Sequence, residues 1–272
     1  MNITILGQGA MGSRMADRLD AAGHAVTRWN RSGATQTPRG AVADADIVIA
    51  MVRDDEASRA VWLGPDGALA GMKAGALAIE SSTLTVKWVK TLAGEMTAAN
   101  RDFLDAPVLG SRPQAEAGQL IHLIGGDAPL VDRAKPVLAQ IGGAQLHAGP
   151  VGSGAALKLI ANTLFCIQVA ALAELLGRMP SLGLDPTAAI DLLGNTPLLS
   201  PAAKGAAGLM LADKRDAMFP VDLVAKDFAY AIGDNAKAMP VATATLSVFE
   251  AAKAAGLADS NLTAISTLYE RN

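Results

Sequence analysis

The chain has 272 residues, of which 51% are hydrophobic and 18% charged, and its formal net charge is -3. That length buries a large core and has room for two domains. A near-neutral balance with no basic run leaves no electrostatic footprint for nucleic acid. The single cysteine, Cys166, excludes an internal disulfide framework and fits a reducing compartment. Its setting, Leu164-Phe165-Cys166-Ile167, reads as helix core rather than as a nucleophile. The N-terminus lacks the positive start of a signal peptide, and no apolar run reads as long enough to cross a membrane. A soluble, cytoplasmic protein without membrane or nucleic-acid partners is expected.

Asn2 to Leu6 predicts a short buried strand that runs into Gly7-Gln8-Gly9-Ala10-Met11-Gly12 and then a helical pattern to about Ala22. Further strands are expected at Ala25 to Asn30, Asp46 to Val52, Ala76 to Glu80, Phe103 to Pro107, Leu120 to Ile124 and Gln145 to Ala148. Helical patterns fill gaps between them, notably Val86 to Asn100 and Pro129 to Ile141. Strands alternating with helices imply an α/β fold with a mainly parallel, doubly wound sheet. After Gly149-Pro150 strand signals vanish, and Ala155 to Met179 supports one long apolar helix. The expected domains are therefore 1–150, a dinucleotide-binding sheet domain, and 151–272, all helical.

Gly7-x-Gly9-x-x-Gly12 alone is a weak motif, but here it follows a strand and opens a helix, as dinucleotide binding requires. Gly7 permits the tight turn, Gly9 lets backbone approach a pyrophosphate, and Gly12 allows close helix packing. The helix N-terminus, at Gln8, Ala10 and Met11, then offers N–H groups to phosphate. NAD sites carry Asp or Glu at the end of the second strand. This chain has Asn30-Arg31-Ser32 there, and arginine suits a 2′-phosphate, so NADP(H) is expected over NAD(H). Met51 and Val52 end a parallel strand, the sheet edge where such folds bind ligands.

In the helical half, Gly154, Lys158 and Asn162 are spaced four apart and share one helix face. A cation on an apolar helix resists desolvation. Taken alone, Lys158 reads equally well as a snorkelling side chain. In carbonyl reduction, hydride transfer leaves negative charge on oxygen, which a positioned ammonium can stabilise and protonate. Asn162 can orient an oxygen without adding charge, and Gly154 is expected to clear space for cofactor or substrate. His24, His122 and His147 share no ligand spacing, so no metal site is expected.

Five motifs in order resemble the β-hydroxyacid dehydrogenases, the family of 3-hydroxyisobutyrate dehydrogenase and the glyoxylate/succinic semialdehyde reductases. They are the glycine loop, Ser81-Ser82-Thr83, Asp105-Ala106-Pro107-Val108-Leu109-Gly110-Ser111, the Gly152-x-Gly154-x-x-x-Lys158-x-x-x-Asn162 helix, and Lys226-Asp227. The resemblance implies a Rossmann domain, a helical domain like the C-terminal domain of 6-phosphogluconate dehydrogenase, and an active site between them. It also implies dimers or tetramers built through the helical domain. Lys158 would be the general acid and Asn162 would hold the substrate. Thr83 would lie beside the nicotinamide ribose, and Lys226 near the nicotinamide or substrate. Gly110, Ser111 and Arg112 would bind the substrate anion. An imine reductase shares the architecture but generally replaces the lysine, and a dinucleotide-binding regulatory protein without turnover is the third reading.

Two departures stand out. Leu109 occupies a position where the family usually has serine, which throws the carboxylate onto backbone N–H groups, Ser111 or Arg112 and implies a bulkier or less carboxylate-dependent substrate. The family also inserts a helix and a strand after the second strand. Ser32 to Val42 is too short for both, so a truncated sheet edge is expected on the adenosine side.

Overall fold

The computed structural model describes residues 1–32 and 36–269. It has two compact units, Met1–Lys158 and Leu159–Asn272. In the first, β1 (Asn2–Leu6), α1 (Gly12–Ala21), β2 (Ala25–Trp29), α2 (Pro38–Ala41), β3 (Ile47–Ala50) and α3 (Asp55–Leu63) lead to β4 (Leu77–Glu80) and α4 (Val86–Ala98). Then come β5 (Asp102–Asp105), β6 (Val108–Leu109), α5 (Arg112–Ala117), β7 (Leu120–Gly125), α6 (Ala128–Ile141) and β8 (Gly142–Gly149).

Strands β2-β1-β3-β4-β5 pair in parallel in that order. Every residue of β3 and β4 is buried, as expected for parallel strands covered on both faces. One face packs Ile3, Ile5, Ile47 and Ile79 against Met15 and Leu19 of α1 and Val137 and Leu138 of α6. The other packs Leu6, Val48 and Ala78 against Trp62 of α3 and Val89 and Leu92 of α4. The sheet is doubly wound, as expected.

Beyond β5 the direction changes. β7 runs antiparallel to β5 and β6, and parallel to β8. The pairs Asp105↔Gly125 and Val108↔His122 share one register, so β6 continues β5 along the same edge of β7. Pro107 interrupts them because it has no N–H to donate, although its carbonyl still accepts from Leu123 N–H at 2.9 Å. The two-residue β6 carries too little periodicity to be legible in the sequence.

On the other side β2 is the last strand. Among the described residues the connection to β3 contains only the one-turn α2, in which Thr37 accepts the Gly40 N–H at 3.2 Å. The expected truncation is present there. Of the 32–42 segment to which that expectation applied, residues 33–35 lie outside the described residues.

The second unit is helical. The division falls within α7 (Ser153–Arg178), which precedes α8 (Pro186–Leu193), α9 (Pro201–Leu211), α10 (Val221–Ile232) and α11 (Pro240–Ala254). Its core gathers Cys166, Val169 and Ala173 of α7 with Val224 and Phe228 of α10 and Phe249 of α11. Cys166 is buried there as expected. The sequence changes character at Gly149-Pro150, eight residues before the structural division at Lys158. The first turn of α7 is hydrogen-bonded to β5, which assigns it to the sheet unit.

One expectation is overturned. Ser153–Leu182 is a 30-residue helical stretch, long and apolar enough by length and composition to cross a membrane. Lys158 and Glu174 interrupt the sequence run, but within the helix they leave long apolar stripes. Buried core positions of the second unit account for one such stripe.

His122 of β7 is fully buried, and neither ring nitrogen has a well-formed hydrogen bond among the described residues. Burial pushes its pKa down to about 4, only partly opposed by the Ala106 backbone. Protons bind the unfolded chain first, so this contribution is intact above pH 6.5 and is lost as pH falls toward 4. The full loss is about 3 kcal/mol. In urea titrations across that window, His122→Leu should flatten the loss of stability relative to wild type.

Candidate active site

The turn between β1 and α1 is shaped by backbone packing. Gly7 adopts φ +108°, and a side chain there would run into the Met51 carbonyl. A Cβ on Gly12 would collide with the Gly7 carbonyl, whereas Gly9 faces open space. Gln8 bonds back to the Ile5 carbonyl at 3.2 Å, and no side chain caps the start of α1 at Met11. Exposed Gly9 and Ala10, open space and an uncapped helix start fit a pyrophosphate.

At the end of β2, Asn30 is half-buried and Arg31 and Ser32 are exposed. Arg28 pairs with Asp17 at 2.6 Å and with Asp20. Arg31 forms no ion pair among the described residues.

Met51 and Val52 are half-buried at the end of β3. They are held by a network that the sequence motifs do not reveal. The Val52 N–H donates to Ser82 Oγ at 2.8 Å, and the Ser82 N–H donates to Glu80 Oε1 at 3.0 Å. Glu80 Oε2 accepts from Ser58 Oγ at 2.6 Å and Trp62 Nε1 at 2.9 Å, and Ser58 Oγ accepts from Trp88 Nε1 at 2.9 Å. Burial raises the Glu80 pKa, against which the Ser58, Ser82 and Trp62 hydrogen bonds act. Trp62 of α3 and Trp88 of α4 thereby join the bases of two loops. Thr83 follows, half-buried, and the neighbouring Ser81 Oγ is buried without a hydrogen bond among the described residues. Such an orphaned hydroxyl beside the β3 and β4 ends fits a polar ligand.

The loop after β6 begins at half-buried Leu109 and exposed Gly110, whose φ of +115° excludes most side chains. Ser111 opens α5 in a capping box, its N–H donating to Gln114 Oε1 at 2.9 Å. The Ser111 N–H, one of the groups expected to meet the anion, is here engaged by the cap of α5. Arg112 is half-buried, with Nε enclosed and unpartnered among the described residues. Arg14 joins this loop to the dinucleotide turn, bonding Glu116 of α5 and the Ala10 carbonyl, each at 2.7 Å.

On α7, Lys158 and Asn162 lie one turn apart and are 8% and 7% exposed, too buried for a snorkelling lysine. Gly154 does not have the role expected of it. A Cβ there would strike the Leu123 carbonyl and lie 2.9 Å from Asp105 Oδ2. Its missing side chain lets the helix meet the sheet rather than a ligand.

Within the second unit, Asn162 Nδ2 donates to Asp227 Oδ2 at 2.6 Å. Lys226 Nζ lies 2.9 Å from Asp227 Oδ1 and 4.6 Å from the Tyr230 ring centroid. Asp227, 4% exposed, thus fixes the amide and gathers the ammonium. Its adjacency to Lys226 was the only sequence signal for it.

Residues 2–149 match the family model described as the NAD-binding domain of 6-phosphogluconate dehydrogenase. Residues 152–269 match the NAD-binding region of NADP-dependent 3-hydroxyisobutyrate dehydrogenase. Glyoxylate/succinic semialdehyde reductase 2 of Arabidopsis thaliana is 32% identical over 97% of this chain and 78% of the relative. Reductase 1 of the same plant is 31% identical over 97% of both. The solved 3-hydroxyisobutyrate dehydrogenase of Mycobacterium tuberculosis with L-serine matches with a TM-score of 0.89 at 27% identity, covering 99% of each chain.

Proposed function

The chain belongs to the β-hydroxyacid dehydrogenase family, whose members are nicotinamide-dependent oxidoreductases, and we propose that it reduces a small aldehyde or keto acid with NADP(H), using Lys158 as general acid. The observation that carries this reading is the buried Lys158–Asn162 pair on α7, with the Asn162 amide oriented by Asp227. A bound nicotinamide supplies the hydride. Lys158 stabilises the charge growing on the carbonyl oxygen and then protonates it; in the oxidative direction it takes the proton back. Asn162 orients the substrate oxygen, and Arg112 receives the substrate anion that Leu109 cannot bind. The names of the plant relatives support aldehyde acids as substrates, and L-serine in the mycobacterial structure is itself a β-hydroxy acid.

For the cofactor, neutral Asn30 followed by Arg31 and Ser32 favours a 2′-phosphate over a ribose hydroxyl. The C-terminal family model, described for an NADP-dependent enzyme, supports the same choice. For assembly, Leu157, Ile160, Leu164 and Leu175 of α7 are exposed by 40, 63, 59 and 53%. Their spacing of three, four and eleven residues makes one stripe, and a second copy of this chain would bury it.

Three outcomes test this reading. Lys158→Ala should retain NADPH affinity while turnover of glyoxylate, succinic semialdehyde or tartronate semialdehyde falls by about 10²- to 10⁴-fold; unchanged turnover rejects the general acid. Arg31→Ala should raise the KM for NADPH by about tenfold, as for one lost charge-assisted contact, with the KM for NADH nearly unmoved. Leu164→Glu should convert a dimer or tetramer to monomer in light scattering, and a monomeric wild type rejects the docking surface.

A further inference from the structure

Asp105 is fully buried at the end of β5. Its Oδ1 accepts the Gly152 N–H at 2.7 Å, and its Oδ2 accepts the Ala155 N–H at 2.8 Å. Burial raises its pKa, while these two N–H groups and that of Gly154 favour the ionised form. The residue preceding α7 is Gly152, at φ +90°, which has no side chain with which to cap the helix. A carboxylate 47 residues earlier does that work.

The surroundings are cut to fit it. A side chain on Gly125 would collide with Asp105 Oδ1, and one on Gly154 would crowd Oδ2. Asp105 is itself held by the sheet, paired with Glu80 of β4 and with Gly125 of β7. A rigid chain of contacts therefore runs from the sheet through one carboxylate into the first turn of α7. Lys158 follows Ala155 by three residues and Gly154 by four. At 1.5 Å rise and about 100° per residue, displacement of that turn carries directly into the ammonium position.

We propose that Asp105 is a positioning residue for Lys158, setting the height and rotation of α7 so that the ammonium meets the reacting oxygen. The same residue begins the 105–111 substrate loop, so one carboxylate registers the proton donor against the loop that binds the anion. This rests on the reading of Lys158 as general acid, and Lys158→Ala tests that reading separately.

The experiment is a double-mutant cycle. In Asp105→Asn the new amide NH₂ faces a backbone N–H, donor against donor, and the first turn must shift. The folded variant should lose about 10- to 100-fold in kcat, the scale of a misplaced catalytic group, with KM for NADPH within threefold of wild type. In the Lys158→Ala background the same change should cost less than twofold, because the group being positioned is gone. Gly154→Ala, which displaces the turn with the carboxylate intact, should show the same split. Equal losses in both backgrounds, wild-type kcat in Asp105→Asn, or failure of both variants to fold would make Asp105 a stability element and overturn the proposal.

Discussion

Gly152 and Ala155 direct their N–H groups at the Asp105 carboxylate, which ties the first turn of α7 to the end of β5. Burying a lone carboxylate is costly, and the cost is offset only when several donors converge on it. The N-terminus of a helix supplies such donors and a favourable dipole end. Helix and carboxylate therefore stabilise each other. Gly125 and Gly154 are glycines because no atom can stand where the two meet.

Glu80, one strand over, solves the same problem with side chains. Ser58 and Trp62 bring hydroxyl and indole donors to it, and the Ser82 backbone closes the set. The two carboxylates sit at the ends of adjacent β4 and β5, paired Glu80↔Asp105. One ties together the segments that follow β3 and β4, and the other holds the first turn of α7.

Most of the frame was legible because it follows from periodicity and glycine punctuation. Strands β1 to β5 are short apolar runs, and α7 is an unbroken helical pattern. What escaped depends on distance along the chain. Asp105 and Gly152 are 47 residues apart, Glu80 and Ser58 are 22 apart, and Asn162 and Asp227 are 65 apart. No local signal encodes such pairs. Gly154 shows the opposite failure, since its motif was visible but the reason for it required the position of Leu123. Ser111 was visible as a hydroxyl and an amide, while the capping box that uses the amide became apparent only with α5 in place.

The chain's three tryptophans, Trp29, Trp62 and Trp88, all lie in the first unit. Trp62 and Trp88 are buried and hydrogen-bonded into the Glu80 network. Trp29 is half-buried, donates to the Gln36 carbonyl at 2.9 Å, and directly precedes Asn30 and Arg31. The protein therefore has a built-in optical asymmetry. Its tryptophan emission reports the sheet unit alone, with two indoles in fixed surroundings and one beside Asn30 and Arg31, while the helical unit carries only the two tyrosines, Tyr230 and Tyr269.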